Sequence, residues 1–208
     1  MDGDTVYIAL DGIDGSGKNR QAGMLLDALT ARGEAVLFER EPDDDNETGA
    51  LLRRWLATGA HSSAHAALFL ADRLESQPSR MHALARGIRI VQVRSYLSTI
   101  VYQRARWPES YLWDIHRGMG AYPDLIVVLD VPVDEALRRC AARGTDAECY
   151  ERADVLTEAR AAYRRMVGRH AWTTSDGADV STRVVMVDGT GTWDEVHSRV
   201  MGAAGLGA

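Results

Sequence analysis

The run Asp11-Gly12-Ile13-Asp14-Gly15-Ser16-Gly17-Lys18-Asn19-Arg20 decides how the rest of this chain is read. It follows Val6-Tyr7-Ile8-Ala9-Leu10, an apolar run of the kind that forms a parallel strand buried on both faces. It precedes Gln21 to Arg32, where Met24, Leu25, Ala28 and Leu29 recur at helical spacing. Strand, glycine loop and helix in that order turn a G-x-x-x-x-G-K match into a phosphate site. The glycines let consecutive backbone N–H groups turn inward around an anion, and the helix start adds the positive end of its dipole. Lys18 brings a compact charge to the β- and γ-phosphates. It is the only lysine in the chain, which otherwise uses arginine, and it stands where a point charge rather than a planar fork is needed. Gly12, Asp14, Gly15, Ser16, Gly17, Lys18, Asn19 and Arg20 are therefore the expected cradle for a nucleotide triphosphate.

The cradle departs from its pattern at Asn19. Ser or Thr normally follows the lysine and holds Mg²⁺ through its hydroxyl. An amide oxygen ligates hard cations too, with longer reach and different geometry. Asn19 and Asp11, at the end of the preceding strand, are the expected metal ligands.

The 208 residues fit one α/β domain spanning residues 1–208 with a full core. A net charge of −6 argues against a general nucleic-acid binder, although local arginine clusters still hold small anions. Cys140 and Cys149 are too few for a disulfide framework, and they fit a reduced, cytoplasmic setting. The acidic start, Met1-Asp2-Gly3-Asp4, enters a strand at once and reads as no signal peptide. No apolar run approaches the ~18 residues of a membrane span, so no membrane partner is expected.

Beyond the first helix, Ala35 to Glu39 reads as a second strand ending at Arg40-Glu41-Pro42, and Asp43 to Asn46 as a loop and helix cap. Leu51, Leu52, Trp55 and Leu56 mark a helix; residues 62–86 mark a longer one that Pro78 kinks or breaks. Ile88 to Val93 and Asp124 to Asp130 read as strands, with helices at Tyr96–Arg104 and Leu112–Arg117 between them. Helices follow at Val133–Ala142 and Tyr150–Val167, then a last strand at Val184–Val187 and a helix at Thr192–Val200. The tail from residue 202 to 208 is expected to fray. The alternation implies a mostly parallel sheet of about five strands flanked by helices, with ligands at the strands' carboxyl ends. His61 and His65 share a helix face without a third metal ligand in view.

Five segments in register make the chain resemble the thymidylate kinase family of P-loop nucleoside monophosphate kinases. They are Asp11 to Lys18, Arg40-Glu41-Pro42, Phe69-Leu70-Ala71-Asp72-Arg73, Arg94 to Gln103, and Pro123 through Val131. The resemblance implies ATP and Mg²⁺ as cofactors, a dTMP-like acceptor, a short lid at residues 143–151 and a homodimer. It implies that Phe69 stacks on the acceptor base, where the residue pattern alone fits core packing as well. Arg73 would donate to a base carbonyl, Arg40 would lie on the acceptor side, and Arg94 would clamp the acceptor phosphate. Thr99 and Gln103 would read the base edge, Tyr102 would crowd the sugar 2′ position, and Asp14 would accept from the sugar hydroxyl. With glycine at position 15, the family pattern draws a transfer-stabilising arginine from the lid; Arg143 is the first choice, then Arg139 and Arg152.

The departures cluster on one side of the reaction. Val93-Arg94-Ser95 stands where the family has Asp-Arg and then Tyr or His, and Asp43-Asp44-Asp45 stands where glycines are usual. Three carboxylates there repel an acceptor phosphate unless they turn outward. Two alternatives therefore stand beside a thymidylate kinase: a pathway kinase with another small acceptor, and a catalytically poor nucleotide-binding protein.

Overall fold

Tyr7–Gly12 forms strand β1, and all six of its residues are buried, as a strand covered on both faces and along both edges must be. The structure is a computed structural model that describes residues 6–58, 63–142, 150–174 and 177–207. The nucleotide loop leads from β1 into α1 (Lys18–Ala31), then β2 (Val36–Arg40) and α2 (Glu47–Ala57). Helices α3 (His65–Glu75) and α4 (Gln77–Ala85) precede β3 (Arg89–Val93), and α5 (Tyr96–Gln103) and α6 (Glu109–His116) precede β4 (Leu125–Asp130). The chain closes with α7 (Val133–Ala141), α8 (Ala153–Arg165), β5 (Gly168–Thr173), β6 (Asp179–Asp188) and α9 (Trp193–Ala203).

The sheet order is β2-β3-β1-β4-β6-β5, parallel except for the β5–β6 pair at one edge. β1 is central, with Leu10 opposite Val93 on one side and Gly12 opposite Leu129 on the other. Alternation along the strands sorts the core into two layers. Ile8, Leu10, Val127 and Leu129 pack with Leu25 and Leu29 of α1 and Val196 and Val200 of α9. Ala9, Ile126 and Val128 face the other way, onto Leu97 and Ile100 of α5 and Leu156, Ala159 and Tyr163 of α8. Each face is thus closed by helices, and the carboxyl ends of β1, β2 and β3 open together on one cleft.

Of the two outcomes expected at Pro78, the break occurs: the long helix divides into α3 and α4, and Pro78 sits in the first turn of α4, where its missing N–H costs nothing. Two expectations change. The sheet has six strands rather than about five, because β5 pairs antiparallel with a β6 that begins at Asp179 instead of Val184. The tail does not fray from residue 202: α9 runs through Ala203, Ala204 is buried and Leu206 packs on the core, its carbonyl taking the Arg32 guanidinium at 2.7 Å. Among the described residues no helix is long and apolar enough to cross a membrane.

Candidate active site

The loop between β1 and α1 is built to leave its N–H groups for a ligand. Gly17 caps α1 at φ 100°, no side chain bonds to the free amides of the first turn, and no acidic residue lies there. A helix start with bare amides and uncompensated dipole is an anion site. Gly15, at φ 80°, passes so close to α7 that a Cβ would lie 2.1 Å from the Ala136 carbonyl oxygen. Only glycine fits there. Lys18 is buried and donates to the carbonyls of Gly12 and Ile13 at 2.9 and 2.8 Å. Burial, with Arg94 adding positive charge, pushes its ammonium down to about 8, although Asp14 and Asp11 pull the other way.

The loop opens on a cleft of about 780 Å³, a volume ordinary for a small-molecule site. Gly15, Gly17, Lys18, Asn19 and Arg20 line its donor side. Arg40, Phe69, Arg94, Thr99 and Tyr102 line the other. Arg94 is held hard. It follows β3 with φ 69°, a left-handed conformation that costs a non-glycine residue about 1 kcal/mol. Its N–H donates to Leu10 O at 2.9 Å, its guanidinium pairs with Asp14 Oδ1, and it lies 5.6 Å over the Tyr102 ring. Burial alone would raise the Asp14 carboxyl, but Arg94 and Lys18 outweigh it and hold the group below the usual range. Tyr102 OH accepts from Asp14 N and donates to Asp14 Oδ2, both at 3.2 Å. Asp14 therefore joins Lys18 and Arg94 through one carboxylate, in the space between donor and acceptor sides.

Other expected residues take different places. Arg73 does not reach the cleft: it is 2% exposed and turns its Nε–Nη2 edge to the Glu41 carboxylate. Its remaining donors go to Ser95 O, Thr99 Oγ1 and His116 Nε2. Nε2 of His116 must accept that bond, so its Nδ1–H donates to Leu112 O at 2.6 Å; burial and Arg73 push this imidazole down to about 3, keeping it neutral. Glu41 also takes Arg80 and Gln92, so a buried charge network occupies the space under the acceptor pocket. Gln103 is fully buried and donates to Tyr150 OH at 2.8 Å, short of the cleft wall. Arg143 and the rest of residues 143–149, with Cys149 and His61, lie outside the described residues. Arg139 is the lid-side arginine that meets the loop, bonding Ser16 O and Gly189 O at 3.4 Å, whereas Arg152 pairs with Asp154 on the surface.

The two expected metal ligands stand in different settings. Asp11 is wholly buried, and its carboxylate takes the hydroxyls of Ser95 at 2.5 Å, Tyr163 at 3.1 Å and Ser98. The carboxylates that line the cleft are Asp14, Glu41 and Glu135, and each is paired with arginine. Asn19 contributes one exposed neutral amide. No cluster of three or more acidic, His or Cys side chains suited to a metal occurs among the described residues. The described residues thus offer no all-protein cage, and Mg²⁺ in such sites is held largely by substrate phosphates and water. Ser95 helps to fix the setting of Asp11: it caps α5 by accepting from Leu97 N and donates to Asp11 from the same hydroxyl.

Sequence reading missed Trp193, Tyr150 and Arg53, all of which line the cleft. Trp193 lies against Gly17, where a Cβ would come within 2.9 Å of the indole, and Arg139 sits 5.4 Å over its ring. Its only local signal is the capping box of Thr192 and Glu195 that starts α9 beside it. Tyr150 OH accepts from Gln103, shares a 2.8 Å hydrogen bond with His65 Nδ1 and packs its ring 5.2 Å from that of Tyr102.

A lone lysine in a glycine loop at the centre of a parallel sheet, facing an arginine-lined pocket across one cleft, is the arrangement of a P-loop nucleotide kinase. A family model described as thymidylate kinase matches residues 10–188. A probable thymidylate kinase of Pyrococcus horikoshii is 31% identical over 204 residues, 94% of this chain and 93% of that protein. A thymidylate kinase of Xanthomonas oryzae pv. oryzae is 33% identical over 179 residues, 84% of this chain and 78% of the relative. The solved thymidylate kinase of Candida albicans shares the fold, with a TM-score of 0.76 at 23% identity over 96% of this chain and 90% of that one. This chain belongs to the thymidylate kinase family.

Proposed function

We propose that the protein transfers the γ-phosphoryl group of ATP to dTMP, giving ADP and dTDP. One observation carries the reading: the bare start of α1 with Lys18, and Arg94 with Phe69, face the same cleft and are joined through Asp14. In this reading the loop amides and Lys18 hold the β- and γ-phosphates, and Arg139 covers the loop from the lid side. Trp193 and the Arg139 guanidinium flank the donor base. Phe69 stacks on the acceptor base, Thr99 meets its edge, and Tyr102, buried against Asp14, excludes a 2′-hydroxyl. Arg94, preset by its backbone, clamps the acceptor phosphate with Arg40 beside it. Phosphoryl transfer asks a protein for position and fixed positive charge more than for covalent help, and these cations supply both. The reading extends to a cytoplasmic homodimer, for which sedimentation is the direct check.

The test is a coupled ADP-release assay over dTMP, dUMP, UMP, dCMP and thymidine, with Lys18→Ala as control. Turnover with dTMP that Lys18→Ala abolishes supports the proposal. Turnover with another acceptor and none with dTMP overturns it.

A further inference from the structure

The donor end of the cleft sets a bare aromatic surface beside a loop whose polar groups are spent on itself. Trp193 lines the cleft at 42% exposure, and the Arg139 guanidinium lies 5.4 Å from its ring centroid. That guanidinium is held by Glu135 Oε1 at 2.7 Å and Gly189 O at 3.3 Å, and Glu135 Oε2 takes Arg138 at 2.8 Å. Between β6 and α9, residues 188–192 close in on themselves. Asp188 Oδ1 accepts from the N–H and the hydroxyl of Thr190, at 2.9 and 2.7 Å. The carbonyls of Asp188 and Thr190 accept from Arg199 at 3.0 and 2.7 Å, and Gly189 N donates to Asp130 O at 2.9 Å. Thr192 gives its N–H and its hydroxyl to Glu195 Oε2, at 2.8 and 3.0 Å, while its carbonyl accepts from Val196 N. Among the described residues of this loop, only Gly191 keeps both its N–H and its carbonyl unengaged.

Telling one purine from another needs the opposite arrangement. Adenine presents an amino donor where guanine presents a carbonyl acceptor, so a fixed hydrogen-bonding partner welcomes one and repels the other. A site that reads a polar group in that way rejects the wrong ligand by about 10⁴-fold. Contact with an indole is blind to the pattern and responds to ring area, over a range of about tenfold. One glycine and one aromatic surface make the second kind of site.

We propose that the donor class of this protein is the purine nucleoside triphosphate in general, ATP and GTP alike, with Trp193 selecting two-ring over one-ring bases. The proposal rests on the nucleotide kinase reading above and deepens it at the donor base. The loop amides and Lys18 supply the hold on the triphosphate, and the base adds a contact that any purine makes.

The experiment is calorimetric titration of the full chain, in magnesium chloride and without acceptor, with ATP, GTP, CTP and inorganic tripolyphosphate in turn. ATP and GTP should bind within about threefold of each other, and CTP about tenfold more weakly. Trp193→Ala should weaken both purines about tenfold, bring them level with CTP and leave tripolyphosphate unchanged. Trp193→Phe keeps an aromatic surface and should retain the purine preference, and a melting curve for each variant guards against misfolding. A gap of more than about tenfold between ATP and GTP overturns the proposal. So does a Trp193→Ala protein that loses tripolyphosphate along with the nucleotides, as it would if the indole merely propped Gly17. Equal binding of both purines without phosphorylation of dTMP would sink the proposed activity and leave this assignment standing. Turnover of dTMP from ATP, with no binding of GTP, would do the reverse, and failure of every triphosphate to bind overturns both.

Discussion

Nucleotide binding should draw a proton from solution, and the source of that demand is Lys18. In the free protein its ammonium titrates near 8 rather than 10.5, because burial strips its hydration and Arg94 adds like charge. A triphosphate seated on it restores counter-charge and raises the value again. At pH 8 about half the free sites are neutral, so binding takes up about half a proton, and at pH 9 about nine-tenths. Affinity for ATP should then fall up to about tenfold per pH unit above 8, about 1.4 kcal/mol each. ATP's own phosphates are already fully ionised there, so the proton belongs to the protein. Calorimetry at pH 8.5 in buffers of different ionisation enthalpy reads the uptake directly. Stability must move the other way. The unfolded chain keeps the Lys18 proton to about 10.5 while the fold releases it near 8, so this group makes the empty protein more stable as pH rises between those values, by on the order of 3 kcal/mol in all. Heats of binding that do not depend on the buffer would refute the reasoning, whatever the affinity.

Replacing Glu41 by Gln removes the charge shared by buried Arg73 and Arg80; unfolding in denaturant should show a loss of about 3 kcal/mol or more. Asp72 is fully buried, and burial with Glu41 nearby pushes its carboxyl up to about 6, so its contribution to stability falls as pH rises from about 4 through 6. Asp72→Asn keeps the acceptor for Asp43 N and should raise the melting temperature at pH 8, with the advantage gone near pH 4. Trp193→Ala should raise KM for ATP about tenfold through lost stacking and leave KM for dTMP unchanged in steady-state kinetics.

The loop and α1 were legible because glycine spacing and one lysine are local signals, and Arg94 and Phe69 followed from short segments in register. What escaped was pairing at long range. Nothing local shows that Glu41, thirty-two positions before Arg73, folds beneath it and takes its guanidinium away from the base. Nor does anything local show that Ser98 and Tyr163 meet Asp11 once α5 and α8 pack on the sheet. Strand β5, GRHAWT, hid because its inward face is carried by His170 and Trp172 alone, too few apolar positions to mark an alternation in the sequence. Trp193 lies far along the chain from the Gly17 it covers, and only a helix-cap pattern marks the place.

The contact of Gly15 with the α7 backbone reaches beyond the loop itself. An arginine grafted at position 15 would need room that α7 occupies, and making that room would carry Arg139 away from Ser16 and Gly189. A bulky residue at position 15 and the present seat of Arg139 thus compete for the same volume, so the one could be gained only by rebuilding the α7 side of the cleft.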